Sequence, residues 1–295
     1  MEAVKVAIVG GTHGNEFSGI QLIKQWRQDP SLLAQLGIEL DLVWSNPKAH
    51  NDNRRYLDVD LNRQFEPARL ADPSLRDYEA LLAKSLDQQL GPKGAAKTDL
   101  VIDLHNTTSH MGPTLILIDT GLWERQLAAF VKSRMPEAVI LLEDTKTPQE
   151  WGYLCSLGKR GVMVEVGPQP QSVLRQEVLD QMALMTQLIV EFAALERAER
   201  LPDLPAETQA YRYVETRQLP LDSDGQPLAM IHPRLDGKDF EALSPGEPIF
   251  QFYNGEVGYF DSEVIMYPHF INEAAYYNSH NAFSLAERCV LTLEA

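Results

Sequence analysis

Three short apolar runs, each reaching residues able to do chemistry, constrain this chain more than any other feature. Val4-Lys5-Val6-Ala7-Ile8-Val9 is a β-branched stretch stopped by Gly10 and Gly11, and Asp99-Leu100-Val101-Ile102-Asp103-Leu104-His105 runs into the turn-forming Asn106-Thr107-Thr108-Ser109. Val162-Met163-Val164-Glu165-Val166-Gly167-Pro168 embeds one carboxylate in an otherwise apolar segment. Near-continuous apolar strands belong in a largely parallel sheet covered on both faces. In open sheets of that kind ligands gather beyond the carboxyl ends of the strands, at a topological switch. The ends of these three runs are therefore where a site is expected.

The first run leads into Gly-Gly-Thr-His-Gly-Asn-Glu, Gly10 to Glu16. His13 and Glu16 offer an imidazole nitrogen and a carboxylate oxygen, a donor pair that suits zinc, and a catalytic zinc needs only three protein ligands. Alone, a His-x-x-Glu spacing is equally a helix start with an exposed carboxylate. His105, at the end of the second run, is the candidate third ligand; the alternative is a polar residue satisfied at a strand end. Asp103 alternates to the same side as His105, either to accept its second imidazole proton or to cap a neighbouring loop. An unpaired buried carboxylate is costly, so Glu165 is expected to be partnered, metal-linked or partly protonated, states that suit a general base. A structural ion pair is the competing reading.

Between the first two runs lies Asn46 to Phe65, a polar stretch containing Arg54, Arg55 and Arg63. Guanidinium groups grip carboxylates with paired hydrogen bonds. The chain as a whole is acidic, with 42 Asp and Glu against 26 Lys and Arg and a formal net charge of -16. That balance argues against nucleic acid or an anionic membrane as partner and leaves a small anion captured by local arginines. Arg54 reads as an ordinary surface-loop cation.

These strings resemble the aspartoacylase family of zinc enzymes, which cleave the amide of N-acyl amino acids on a zinc carboxypeptidase-like scaffold. The likeness runs through GGTHGNE, DVDLNRQF, DLHNTTSHMG, VEVGPQPQ and NEAAYY, nearly the whole chain. By that resemblance His13, Glu16 and His105 are expected to hold one zinc per chain, and Glu165 to be the general acid/base. Arg55 would polarise the scissile carbonyl, Asn62 and Arg63 would hold the substrate carboxylate, and Tyr276 would donate a further hydrogen bond. The implied reaction is hydrolysis of N-acetyl-L-aspartate to acetate and L-aspartate. Aspartate-selective members carry an arginine ten residues before the base, where an ungapped count here reaches Cys155; Arg160 is five residues before it. An aminoacylase of broader or aromatic preference is therefore the alternative, followed by a non-catalytic zinc- or partner-binding protein.

Strand and helix alternate through the first two-thirds. Phe17, Ile20, Ile23 and Trp26 predict a helix, as do Leu75 to Leu90, Leu122 to Met135 and Val173 to about Glu196. Ile38 to Trp44, Thr114 to Ile118 and Val139 to Leu142 predict strands. The charged, proline-bearing stretch Arg197 to Pro205 reads as a linker dividing a catalytic α/β domain, residues 1–200, from a smaller β domain of barrel or sandwich type, residues 206–295, that narrows the entrance. There the strands expected are Tyr211 to Glu215, Pro248 to Tyr253 and Glu263 to Tyr267, and His232, His269 and His280 lack ligand spacing. No run approaches about 20 apolar residues, so no membrane span is expected. Two distant cysteines, Cys155 and Cys289, fit a reducing cytoplasm. A homo-oligomer is compatible with all of this.

Overall fold

The computed structural model describes residues 3–31 and 37–293; residues 1–2 and 294–295, the outer ends of the two expected domains, lie outside the described residues. The first strand, β1 (Lys5–Gly10), lies between β2 (Glu39–Trp44) and β3 (Leu100–Asn106) and is parallel to both. Next come β4 (Gly112–Leu117), β5 (Val139–Leu142), β6 (Arg160–Gly167) and β7 (Glu207–Gln218). With β11 (Tyr267–His269) and β12 (Asn281–Thr292) they form one nine-stranded sheet, ordered β11-β12-β7-β5-β4-β6-β3-β1-β2. The sheet is mixed rather than simply parallel, because β4 lies antiparallel to β6 at its centre. Only residues 107–111 separate β3 from β4, too short for the crossover that would return the chain to the same direction.

Alternation along the strands sends side chains into two cores. Val6 and Ile8 face one side, where α1 (Phe17–Gln28), α3 (Leu122–Arg134) and α4 (Gln176–Arg197) pack, and Ala7 and Val9 face the other, against α2 (Tyr78–Leu90). The double covering expected of apolar strands is thus present. By length and composition α4 is apolar enough to cross a membrane. Its Met182, Met185, Ile189, Val190 and Phe192 are instead enclosed in the first core.

The sheet runs across the division expected at Arg197 to Pro205. β7 lies parallel to β5 through Leu141–Tyr211 and Leu142–Arg212, and β12 pairs with β7 along almost its entire length. A separate three-stranded sheet of β8 (Ala229–Ile231), β9 (Pro248–Phe252) and β10 (Val257–Tyr259) packs over a third core containing Leu219, Phe250 and Phe283. The strand expected over Glu263 to Tyr267 begins only at Tyr267. β12 has no counterpart in the sequence reading: Ala282 to Ala286 are all buried, which removes the alternation by which a strand is recognised.

Candidate active site

The loop after β1 puts His13 and Glu16 at the start of α1, and it is packed against the segment that carries Arg55. A Cβ on Gly14 would lie 2.3 Å from the backbone of both Ala49 and His50, and the Gly14 amide donates to the Arg55 carbonyl at 3.0 Å. Only glycine admits that approach. His105 arrives from the end of β3, and Glu165 lies beside it in register on β6.

His13, Glu16 and His105 converge with ligand atoms all within 4.8 Å of one another, every one of them buried. His13 Nδ1 lies 2.8 Å from Glu16 Oε1, His105 Nδ1 lies 3.0 Å from Glu16 Oε2, and the two Nδ1 atoms are 3.2 Å apart. Two imidazole lone pairs so close, facing one carboxylate, form a hole suited to a cation. The outer nitrogens are held by carboxylates: His13 Nε2 is 3.0 Å from Asp60 Oδ1, and His105 Nε2 is 2.8 Å from Asp103 Oδ2. That arrangement directs both Nδ1 atoms inward, as metal-ligating histidines require. The residues present therefore fit a zinc site. Electrostatics agree. Burial favours the neutral form of Glu16, but the two imidazoles outweigh it and hold the carboxyl well below its usual range. Burial likewise opposes charge on His105, yet Asp103 and Glu16 push its imidazole well above the ordinary value.

Glu165 has one oxygen, Oε1, buried without a hydrogen-bond partner among the described residues. Burial raises its carboxyl well above the usual range; His105 and Arg55 oppose that shift, while Glu16 and Glu273 add to it. Arg55 donates to Glu16 Oε1 at 2.9 Å and to Asp60 Oδ2 at 3.4 Å. Burial disfavours its charge, but Asp60 and Glu16 more than restore it. Arg63 lies 5.2 Å over the Tyr153 ring and makes no ion pair among the described residues, leaving donors free toward the cavity. Tyr276, on the 3-10 turn Ala274–Ser279, lines the same cavity. Glu273 caps that turn and accepts from Thr107, Thr108 and Ser109, tying it to the loop after β3.

Asn62 also lines the cavity, but its side-chain oxygen accepts the Leu154 amide at 2.8 Å, so the residue braces a loop in addition to facing the site. Cys155 is fully buried and does not line the cavity. Arg160, at the opposite end of β6, pairs with Glu124 at 2.9 Å and cannot replace a missing substrate cation. Arg54 is exposed, as a surface cation should be. His232, His269 and His280 stand outside the cavity lining. Sequence reasoning missed Asp60, Glu79 and Glu143. Buried Glu79, on α2, accepts the amides of Leu57, Asp58 and Val59 and so shapes the loop between Arg55 and Arg63. Glu143 directly follows β5, and the strand-end argument that found His105 also applies to it.

Comparison with known proteins matches the family description "Succinylglutamate desuccinylase/Aspartoacylase catalytic domain" to residues 2–193 and "AstE/AspA barrel-sandwich hybrid domain" to residues 206–288. An aspartoacylase of Danio rerio is 38% identical over 300 residues, covering 100% of this chain and 95% of that protein. An N-acyl-aromatic-L-amino acid amidohydrolase (carboxylate-forming) of Mus musculus is also 38% identical, covering 99% and 93%. The crystal structure of murine aminoacylase 3 superposes with a TM-score of 0.92 at 37% identity, covering 99% of this chain and 98% of that one.

Proposed function

The chain belongs to the succinylglutamate desuccinylase/aspartoacylase family, and from that premise we propose that it hydrolyses the amide of an N-acyl amino acid, using zinc, to give a carboxylate and the free amino acid. The observation that carries this reading is Glu165: a buried carboxyl with an unengaged oxygen, beside the His13–Glu16–His105 hole and within the electrostatic reach of Arg55. A merely metal-binding protein has no use for a proton acceptor there.

Held by His13, Glu16 and His105, zinc would supply Lewis acidity and make water a nucleophile near neutral pH. The chain's own residues supply the rest. Glu165 takes the proton of the attacking water and returns it to the amide nitrogen as the C–N bond breaks. Arg55, fixed by Glu16 and Asp60, presents a permanent positive charge to the carbonyl oxygen as it gains negative charge. Arg63 binds the α-carboxylate, Asn62 braces the loop beside it, and the Tyr276 hydroxyl donates to bound substrate. A cytoplasmic setting is part of the proposal, supported by two cysteines that remain unbridged.

Equal identity to an aspartoacylase and to an N-acyl-aromatic amidohydrolase leaves the side chain to be decided by the cavity. N-acetyl-L-aspartate would need a second cation for its side-chain carboxylate, and among the described residues the only Lys or Arg lining the cavity besides Arg63 is Arg55, already engaged. The test is a turnover panel on zinc-loaded protein: N-acetyl-L-aspartate, N-acetyl-L-glutamate, N-succinyl-L-glutamate and N-acetyl aromatic amino acids. Release of free amino acid from at least one is expected, with about one zinc per chain by elemental analysis and loss of that zinc in His13→Ala. A zinc-loaded protein inert toward the whole panel would overturn the reading.

A further inference from the structure

Lys93 lies three residues beyond α2 and outside the cavity lining, yet its side chain is turned into the protein rather than toward solvent. Its Nζ donates to the Phe65 carbonyl at 2.8 Å, to Ser156 Oγ at 2.7 Å and to the Trp151 carbonyl. An ammonium has three protons, and each of them has an acceptor here. All three acceptors are uncharged oxygens. Taking a charge out of water onto neutral groups is costly, so the fold retains this one against a penalty.

The acceptors belong to two segments that each supply a wall of the cavity. Phe65 follows Arg63 by two residues, and Trp151 and Ser156 bracket Tyr153. Ser156 passes its own hydroxyl proton to the Tyr153 carbonyl at 2.5 Å, so the clamp reaches that residue directly. The two segments abut closely: the Phe65 amide donates to the Gly152 carbonyl at 3.2 Å, and a Cβ on Gly152 would lie 3.2 Å from the Arg63 carbonyl oxygen. Across the junction the Arg63 guanidinium lies 5.2 Å from the centre of the Tyr153 ring, and both side chains line the cavity. One ammonium thus ties the backbone that bears Arg63 to the backbone that bears Tyr153.

We propose that Lys93 is a positioning residue that holds Arg63 against Tyr153 where the substrate carboxylate is bound. The proposal rests on the N-acyl amino acid hydrolase reading and adds to it a group that never touches substrate. Without the clamp Arg63 keeps its charge but not its place, whereas Arg55 is fixed independently by Glu16 and Asp60. The loss therefore falls on KM rather than on kcat. A pH dependence follows from the same geometry. Burial pulls the Lys93 ammonium down to about 8, with Cys155, Asp87 and Glu66 opposing the shift only in part. Asp87 lies on α2, Glu66 adjoins Phe65, and Cys155 adjoins Ser156 with a thiol that burial, then Asp103, holds neutral. A neutral amine has two protons for three acceptors, so the clamp is complete below about pH 8 and loses a donor above it.

The test is steady-state kinetics of zinc-loaded protein between about pH 6.5 and pH 9.5, with the N-acyl amino acid of the panel that turns over fastest, alongside thermal unfolding and metal analysis. Lys93→Met fills the same space without donors, and at about pH 7 it should raise KM about tenfold or more while kcat stays within about threefold and zinc is kept. Ser156→Ala removes one acceptor of the three and should give a smaller rise. In wild type KM should climb above about pH 8, and in Lys93→Met that climb should be absent. A lowered Tm with KM at the wild-type value in both variants means a role in stability alone and overturns the proposal, as does a fall in kcat with KM unchanged; either leaves the hydrolase reading intact. Should Lys93→Met fail to fold, a wild-type KM flat across the whole range together with an unchanged KM in Ser156→Ala overturns it equally. Absence of turnover with every N-acyl amino acid overturns the hydrolase reading itself and this proposal with it.

Discussion

Replacing Asp103 by asparagine should weaken zinc binding by about 10- to 100-fold without unfolding the chain. Asp103 is fully buried, with Oδ2 2.8 Å from His105 Nε2 and Oδ1 accepting the Thr12 hydroxyl at 2.6 Å. Asparagine fits the same space, so no cavity forms. If its oxygen faces His105, a charge-assisted hydrogen bond becomes a neutral one, a loss of about 1–2 kcal/mol, or roughly 5- to 30-fold. Thr12 can then accept from the amide and turn its own proton toward Ser45, 3.4 Å away. If the amide turns over instead, its N–H₂ favours the tautomer with the proton on His105 Nδ1, the atom that faces the metal, and affinity falls further. Asp60→Asn should cost less, because the Asp60 side chain is 21% exposed and water can take its place. The assay is competition with a chelator of known affinity, alongside thermal unfolding of the metal-free proteins. Unchanged zinc affinity in Asp103→Asn, with the metal-free protein as stable as wild type, would show that the outer hydrogen bond does not orient His105.

Glu165→Gln should lower kcat by about 10² to 10⁴ while zinc stoichiometry is kept, since the acceptor is lost and the shape nearly preserved; retention of more than a few tenths of wild-type activity would assign the proton to another group. Glu79→Gln should turn an N–H₂ toward one of the backbone amides of residues 57–59 and disorder the Arg55 loop, lowering kcat/KM about tenfold or more with zinc still bound, as measured by steady-state kinetics and metal analysis. His269 is fully buried, and burial depresses its imidazole to about 4, with the Tyr267 backbone only partly opposing the shift. The unfolded chain therefore takes up a proton below about pH 6.5 that the folded chain refuses until about pH 4. Stability is unaffected above that window and falls with acid across it, by up to about 3 kcal/mol. His269→Phe, set against the stacked Phe240 ring, should flatten this loss in urea titrations at pH 7 and pH 4.5; an equally steep loss in the variant would place the acid sensitivity elsewhere.

His13, Glu16, His105 and Glu165 were legible in the linear chain because each sits at or near the end of an apolar strand run, and strand ends on one rim of a sheet meet whatever else the fold does. The amphipathic helix Phe17–Gln28 and the two-sided cover of the sheet were legible for a related reason, since local periodicity records which faces are buried. Other features depend on what the fold brings together. The reversal of β4 against β6, the joining of β7 to β5, and the long pairing of β12 with β7 are long-range choices that leave no periodic trace. Asp60 orients His13 across 47 residues, and Glu79 collects amides some 20 positions away, so an acidic residue of either kind looks like ordinary surface until the backbone closes around it. Cys155 was visible as a missing arginine, but it is fully buried away from the cavity, whereas Glu143, twelve residues earlier at the end of β5, lines it. The amino-acid order determined which candidate catalytic and metal-binding groups the chain offers, because their chemistry is written in residue type and strand position. Only the tertiary structure decided which residues surround those groups, because the lining of a cavity depends on long-range packing that residue order does not display.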